Sequence, residues 1–289
     1  MKRFLIGACL ALSAFAAQAL QPYVASDTKA VAGDLKAAMA ATEQKLAAGG
    51  FQVVGRHTPK GLPNHGSLVI TETGVTEALK KLGGLAAVGI PIRVGVKNDG
   101  TVSYLNLEYW GRAFARKDFS KVEGAYKGAT AKLEKALGTG QAFGGDVKAE
   151  DLPSYRFMFG MPRFDDDTEL KEYPSFDEAL KQVQANLAKG VNHSAKVYEL
   201  IYPDKKIAVF GVAHNDTEKG EGWWVNKIGA DHIAALPWEI VIIDGRVQSL
   251  RGKYRTALAW PSLSMGQFMG ISNHPDYVFE TMRDVAGGQ

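Results

Sequence analysis

The sequence predicts an α/β protein of the α+β type, built as two tandem two-layer α/β sandwich domains related by internal duplication. Three observations carry this prediction. First, the stretch from Lys81 to Trp110 recurs from Lys227 to Arg255. With Pro91 set over Pro237 and one gap near Asn98, eight residues (Lys81, Gly83, Pro91, Asp99, Gly100, Val102, Leu105 and Tyr109) meet identical ones at Lys227, Gly229, Pro237, Asp244, Gly245, Val247, Leu250 and Tyr254, over 29 paired positions. A period of about 146 residues is too long for a solenoid and suits two copies of one domain. Second, apolar residues pair at Leu82/Ile228, Ile90/Leu236, Val94/Ile240 and Val96/Ile242. Third, with 46% hydrophobic residues overall, a copy of about 120 residues can bury a core of its own. The boundaries that follow are a signal over residues 1–19, a first unit over 20–138, a joining strap over 139–174 and a second unit over 175–289.

Taken in order, Asp27 to Ala48 reads as an amphipathic helix. Val31, Leu35, Ala38, Met39, Thr42 and Leu46 keep the three-and-four spacing, and Gly49-Gly50 stops it. Phe51 to Thr58 alternates as a short strand before Pro59, and Ser67 to Thr71 reads as the next. A short helix, Val75 to Leu82, leads to a central strand at Ile92 to Val96. Asn98-Asp99-Gly100 is a hairpin turn, because Asp-Gly tolerates the positive φ that tight hairpins need. Val102 to Tyr109 returns antiparallel, and Lys121 to Leu137 closes the unit as a helix. The second unit repeats this order: a helix from Ser175 to Ala188, strands at Ala195 to Tyr202 and Lys206 to Val212, a Gly-rich loop at His214 to Trp224, a central strand at Glu239 to Ile243, a turn at Asp244-Gly245, a return at Val247 to Tyr254, and a helix from Pro275 to Ala286. Each unit is then one sheet with helices on one face. The strap holds Asp165-Asp166-Asp167, yet its middle, Tyr155 to Pro162, is too apolar to be a free tether. It is expected to pack against one or both units.

Lys2-Arg3, the apolar run Phe4 to Phe15 and Ala17-Gln18-Ala19 read as a secretory signal with a small-x-small cleavage site. Mature protein is expected to start near Leu20 and to be periplasmic. No stretch is long and apolar enough for a membrane span. The one cysteine, Cys9, lies in the signal and faintly resembles a lipidation box. Without it, disulfides, thiolate metal sites and cysteine nucleophiles are excluded. Charge is uneven: residues 20–138 hold 16 basic and 10 acidic side chains, 139–174 hold 4 and 8, and 175–289 hold 12 and 13. No basic stripe with interleaved aromatics occurs, which argues against nucleic-acid partners.

The segment from Phe51 to Trp110 resembles a widespread bacterial family, domain-of-unknown-function family 302. The resemblance rests on Gly50-Phe51-x-Val53-Val54, Gly89-Ile90-Pro91-x-Arg93-Val94-x-Val96 and Asp99-Gly100-x-Val102. Members usually carry Leu-Pro-Cys at the proline. Here Ile92 or Trp238 stands where that cysteine would be, so any role it has is absent. The resemblance implies a two-layer α/β fold in two copies, a chain able to mimic a dimer of single domains, and no substrate.

No Gly-x-Ser-x-Gly, phosphate loop or dinucleotide fingerprint is present. Ser26-Asp27-Thr28-Lys29 fits Ser-x-x-Lys, but neither Ser-Asp-Asn nor Lys-Thr-Gly follows it. The densest unusual composition is Gly220 to Glu239, with Trp223, Trp224, Trp238 and His232, and His214 just before it. Aromatics beside a histidine can hold a planar or apolar ligand, with the imidazole as ligand or donor. Because Ile92 and Ala86 match Trp238 and His232, these are additions to the second copy. The competing reading makes Trp238 core and His232 a helix-surface residue. Weaker convergences are His57 with His65, and His214 with Asp216 and Glu218. Met158/Met161 and Met265/Met269 suit copper(I), or plain core filling. The function expected is therefore non-enzymatic binding of a small ligand, in its sharpest form a haem-like one. The alternative is an envelope interaction or stress protein that uses the aromatic loop as a protein-binding surface.

Overall fold

The computed structural model describes residues 19–288. The stretch read as a secretory signal, with Cys9, lies outside the described residues, Ala19 excepted. The first unit runs β1 (Tyr23–Ala25), α1 (Leu35–Ala48), β2 (Gln52–His57), β3 (His65–Thr71), α2 (Thr73–Leu82), a 3-10 segment (Gly84–Gly89), β4 (Ile92–Lys97), β5 (Val102–Leu105), α3 (Leu107–Ala115), α4 (Glu123–Leu137) and β6 (Ala142–Phe143). The second runs β7 (Glu169–Glu172), α5 (Phe176–Lys189), β8 (Ser194–Tyr202), β9 (Ile207–His214), α6 (Glu221–Ile228), a 3-10 segment (Ala230–Ala235), β10 (Trp238–Ile243), β11 (Arg246–Gln248), α7 (Gly252–Ala259), α8 (Met265–Gly270) and α9 (His274–Val285). The fold is α/β, as the sequence predicts.

The first sheet has the order β2-β3-β4-β5-β1-β6 and the second β8-β9-β10-β11-β7, every neighbour antiparallel. The first five positions correspond one to one. Each sheet also carries a register shift on the outer strand, between Val53 and Gly55 in one and Lys196 and Tyr198 in the other. The hairpin turns form where Asp-Gly placed them, with Gly100 at φ 82° and Asp244 at φ 54°.

Three expectations are corrected. α1 begins at Leu35 rather than Asp27, because the Asp34 carboxylate caps it by accepting from Lys36 N at 2.9 Å. The return strands stop at Leu105 and Gln248, and both chains turn into helices. Asn106 caps the first of these, and Leu107, Trp110 and Phe114 keep helical spacing on a buried side. The Gly-rich loop from His214 gives way at Glu221 to α6, which carries Trp223 and Trp224.

Strand alternation decides what each sheet face meets. At Gly66 on β3 an added Cβ would lie 2.6 Å from the Met39 sulfur on α1. One residue on, Ser67 points the other way and its hydroxyl donates to the Leu236 carbonyl at 2.8 Å. Its ladder partner Gly95 presses on Ile233 and Ala234, leaving no room for a side chain. The first sheet thus carries α1 on one face and the second unit's 3-10 segment on the other. Reciprocally, the 3-10 segment Gly84–Gly89 packs on β10 and β9. Leu152, Tyr155 and Phe164 of the strap are buried, and β6 joins the first sheet and β7 the second. The apolar middle expected to pack does so only in part: Tyr155 is buried and Phe157 half-buried, while Met158 and Phe159 are 41% and 96% exposed. Among the described residues no helix is long and apolar enough to cross a membrane.

Candidate functional site

Where the two units meet, residues at corresponding positions touch each other. Arg93 on β4 and Glu239 on β10 share one alignment column, and Arg93 Nη1 bonds Glu239 Oε1. Gly55 and Tyr198 correspond through their ladders, Gly55 to Val69 to Arg93 and Tyr198 to Gly211 to Glu239. They too are in contact, since a Cβ on Gly55 would lie 3.1 Å from the Tyr198 Cβ, while the Tyr198 ring covers Gly211. Trp110 and Arg255 form the third pair, with the guanidinium carbon 4.7 Å from the ring centroid. All three contacts join positions that the sequence comparison or the strand ladders set opposite one another. Each pair is unlike: charge against opposite charge, ring against glycine, cation against π face.

A second polar group also bridges the units. His57, at the end of β2, places Nε2 2.7 Å from Glu221 Oε2 at the start of α6. His214 Nδ1 lies 3.7 Å from Glu221 Oε1. His274, at the start of α9, stacks on Trp224 with centroids 3.9 Å apart. All four are buried, with exposures of 5% or less. Burial alone would push the Glu221 carboxyl up, but His57 and His214 outweigh it and hold it down to about 2. Burial, with repulsion from His214, drives the His274 imidazole well below its usual range, so it sits neutral. Backbone approach seals the contact: a Cβ at Gly222 would lie 2.8 Å from Gly61 Cα. Among the described residues no three His, Cys, Asp or Glu side chains stand where they could hold a metal ion.

The residues singled out in the sequence divide between these surroundings. Trp224 and Trp238 lie 5.6 Å apart and flank His274, which links them to His214. Trp224, Trp238 and His214 are each 3% exposed or less, so they are packed core rather than pocket walls. His232 is elsewhere. Its ring stacks on Trp260 at 5.3 Å and meets Tyr23 at 4.9 Å and Phe143 at 5.8 Å, with Nδ1 2.9 Å from the Ala259 carbonyl. Trp223 is half-buried under the Lys227 ammonium at 3.8 Å. His57 turns away from His65 toward Glu221. Asp216 accepts from the Glu218 and Lys219 amides at 2.8 Å each, while His214 turns to Glu221. The sequence reading missed Glu221, His274, Glu239 and Arg255, all buried charged or titratable side chains.

A cleft of about 600 Å³ opens between the first unit and the strap. Leu82, Ala86, Phe114 and Phe164 make its apolar lining, and Arg116, Lys117, Asp118 and Asp165 its charged rim. Arg116 ends α3 with φ 53° and ψ −129°, a conformation rarely held by a residue with a side chain. It is locked by Asp165 Oδ2 at 2.5 Å and the Pro153 carbonyl at 3.1 Å, both from the strap. Asp118 is paired with Lys121 at 2.7 Å. Lys117 has no ion-pair partner among the described residues, which leaves the rim a cation to spare.

No family model matches the chain, and no curated protein or solved structure matches it.

Proposed function

We propose that this is a non-enzymatic binding protein for a small apolar molecule carrying an acidic group, held in the cleft between the first unit and the strap. We further propose that the two units are tandem copies of one domain, of the type of domain-of-unknown-function family 302, packed about an approximate two-fold axis. The cleft carries the first reading. Its volume is that of sites for drug-sized ligands, its lining is apolar, and the unpaired Lys117 supplies one positive charge at the mouth. The strained Arg116, bonded to two strap residues, ties the first unit to the strap at the cleft. Burial of Trp224, Trp238 and His214 moves the expected ligand away from the tryptophan segment. The same burial takes Trp224 out of reach of a protein partner. The second reading is supported by the shared strand order, the shared register shift and the three self-touching pairs.

Titration with anilinonaphthalene sulfonate, a planar apolar anion, tests the site. The wild type should give a saturable rise in emission. Lys117→Glu and Phe164→Ala should each weaken it by roughly tenfold or more, the scale of one lost charge or apolar contact. His232→Ala should leave it unchanged. Binding that survives both cleft variants, or is lost in His232→Ala alone, would sink this assignment.

A further inference from the structure

The charges where the two units meet do not balance. Arg93 and Arg255 are 0% and 1% exposed, and Glu239, at 3%, is the carboxylate within ion-pair distance of either among the described residues. Both guanidiniums address that one carboxylate, Arg93 through Oε1 and Arg255 with Nε 3.7 Å from Oε2. They are therefore neighbours, and both also lie against Trp110, with guanidinium carbons 5.9 and 4.7 Å from its centroid. Two carbonyls of the 3-10 segment take one N–H each: Ala234 O from Arg93 Nε and Ala235 O from Arg255 Nη2, both at 3.1 Å. That leaves Arg93 Nη2 and Arg255 Nε and Nη1 buried without an acceptor. Trp238 Nε1 and the Tyr198 hydroxyl, also buried, have none either. The surplus is donors and one positive charge.

We propose that this seam binds one small monovalent anion of the size of chloride, held between the Arg93 and Arg255 guanidiniums. Charge sets the valence, since two guanidiniums and one carboxylate need a single further negative charge. Donor chemistry sets the class, because every unpartnered group named here is an N–H or O–H that can donate, and the Tyr198 hydroxyl alone can also accept. No side chain supplies the missing charge instead. Burial raises the Tyr23 and Tyr198 phenols far above neutral pH despite the two arginines, so they stay uncharged. Burial and Arg93 lower Arg255 only to about 10, so it keeps its proton at pH 7. A buried guanidinium with no counter-charge is strongly destabilising, which makes an occupied seam the stable one.

The test is thermal unfolding of the full chain in sodium gluconate, an anion too large for a packed seam, with gluconate replaced by chloride, bromide or sulfate at constant ionic strength. Chloride and bromide should raise Tm saturably by roughly 2–4 °C, the shift expected for about 1 kcal/mol in a chain of this size. Sulfate should not. Arg93→Met leaves Glu239 facing Arg255 alone, a balanced pair, and should abolish the halide effect while the protein stays folded. Glu239→Gln leaves two cations on the anion and should enlarge it. Crystals grown in bromide should show an anomalous peak between the two guanidiniums. Equal Tm in gluconate and chloride, a halide effect that persists in Arg93→Met, or a water in place of the bromide peak would each overturn the proposal.

Discussion

Glu239→Gln is expected to cost about 3–5 kcal/mol in chloride buffer, the usual penalty for removing one partner of a buried ion pair. Tm should fall by roughly 10 °C. The loss strands two guanidiniums that are 1% exposed or less, and no other carboxylate lies within ion-pair distance of them among the described residues. Arg93→Met should cost clearly less, although it removes the same ion pair and a larger side chain, because Glu239 then faces Arg255 in a balanced pair. An ordinary packing account predicts the reverse order. The double exchange Arg93→Glu with Glu239→Arg puts the same two charges back with β4 and β10 exchanged. It should recover most of the stability that Arg93→Glu alone destroys. Denaturant unfolding of the four variants measures all of this. If Arg93→Met proves as damaging as Glu239→Gln, or if the exchange recovers nothing, charge balance does not govern the seam.

How much of this was readable beforehand depends on the range of the contact. Asp99-Gly100 and Asp244-Gly245 were legible because a tight hairpin imposes a local conformation, and both turns carry the positive φ that Asp-Gly suggested. The core strands were legible for the same reason, as Ile92 to Val96 and Glu239 to Ile243 are dense in branched residues. α3 and α7 were not, since the run from Val102 to Tyr109 is apolar enough to read as strand, and only the Asn106 cap marks the change. Pairing of His57 with Glu221 spans 164 residues and leaves no local trace. Arg93 and Glu239 stand between these extremes. They are 146 residues apart, the period of the repeated stretch, and so share one column of the sequence comparison. Opposite charges in one column, each inside an apolar strand, form a signal of buried pairing that is weaker in composition than the cluster of tryptophans. His232 misled for the complementary reason. It stands where the repeated stretch has Ala86, but its ring is spent on Trp260, Tyr23 and Phe143.

Acid should unfold the chain in two distinguishable steps, each traceable to the histidine–glutamate group between the units. His274 is held neutral in the fold, by burial first and His214 second, while in the unfolded chain it titrates near 6.5. The unfolded state therefore binds more protons below that pH, and stability falls as pH drops through 6.5. Glu221 acts lower down. Its carboxyl is held to about 2 against an ordinary 4.5, so its contribution is complete above about 4.5 and is lost as pH falls toward 2. Linkage puts that contribution at roughly 3 kcal/mol. His274→Phe keeps the ring against Trp224 and removes two buried nitrogens that have no partner. It should be neutral or stabilising at pH 7 and should flatten the stability profile between pH 6.5 and 5. Glu221→Gln should leave that upper step in place, erase the lower one, and cost about 1–3 kcal/mol at pH 7 through the loss of the buried carboxylate that His57 bonds. Urea unfolding at half-unit pH intervals reads both steps. A profile unchanged by His274→Phe above pH 5 would show that the upper step belongs to another buried imidazole, with His232, which burial also lowers, next in line. A lower step that survives Glu221→Gln would mean that this carboxylate does not hold the units together in acid.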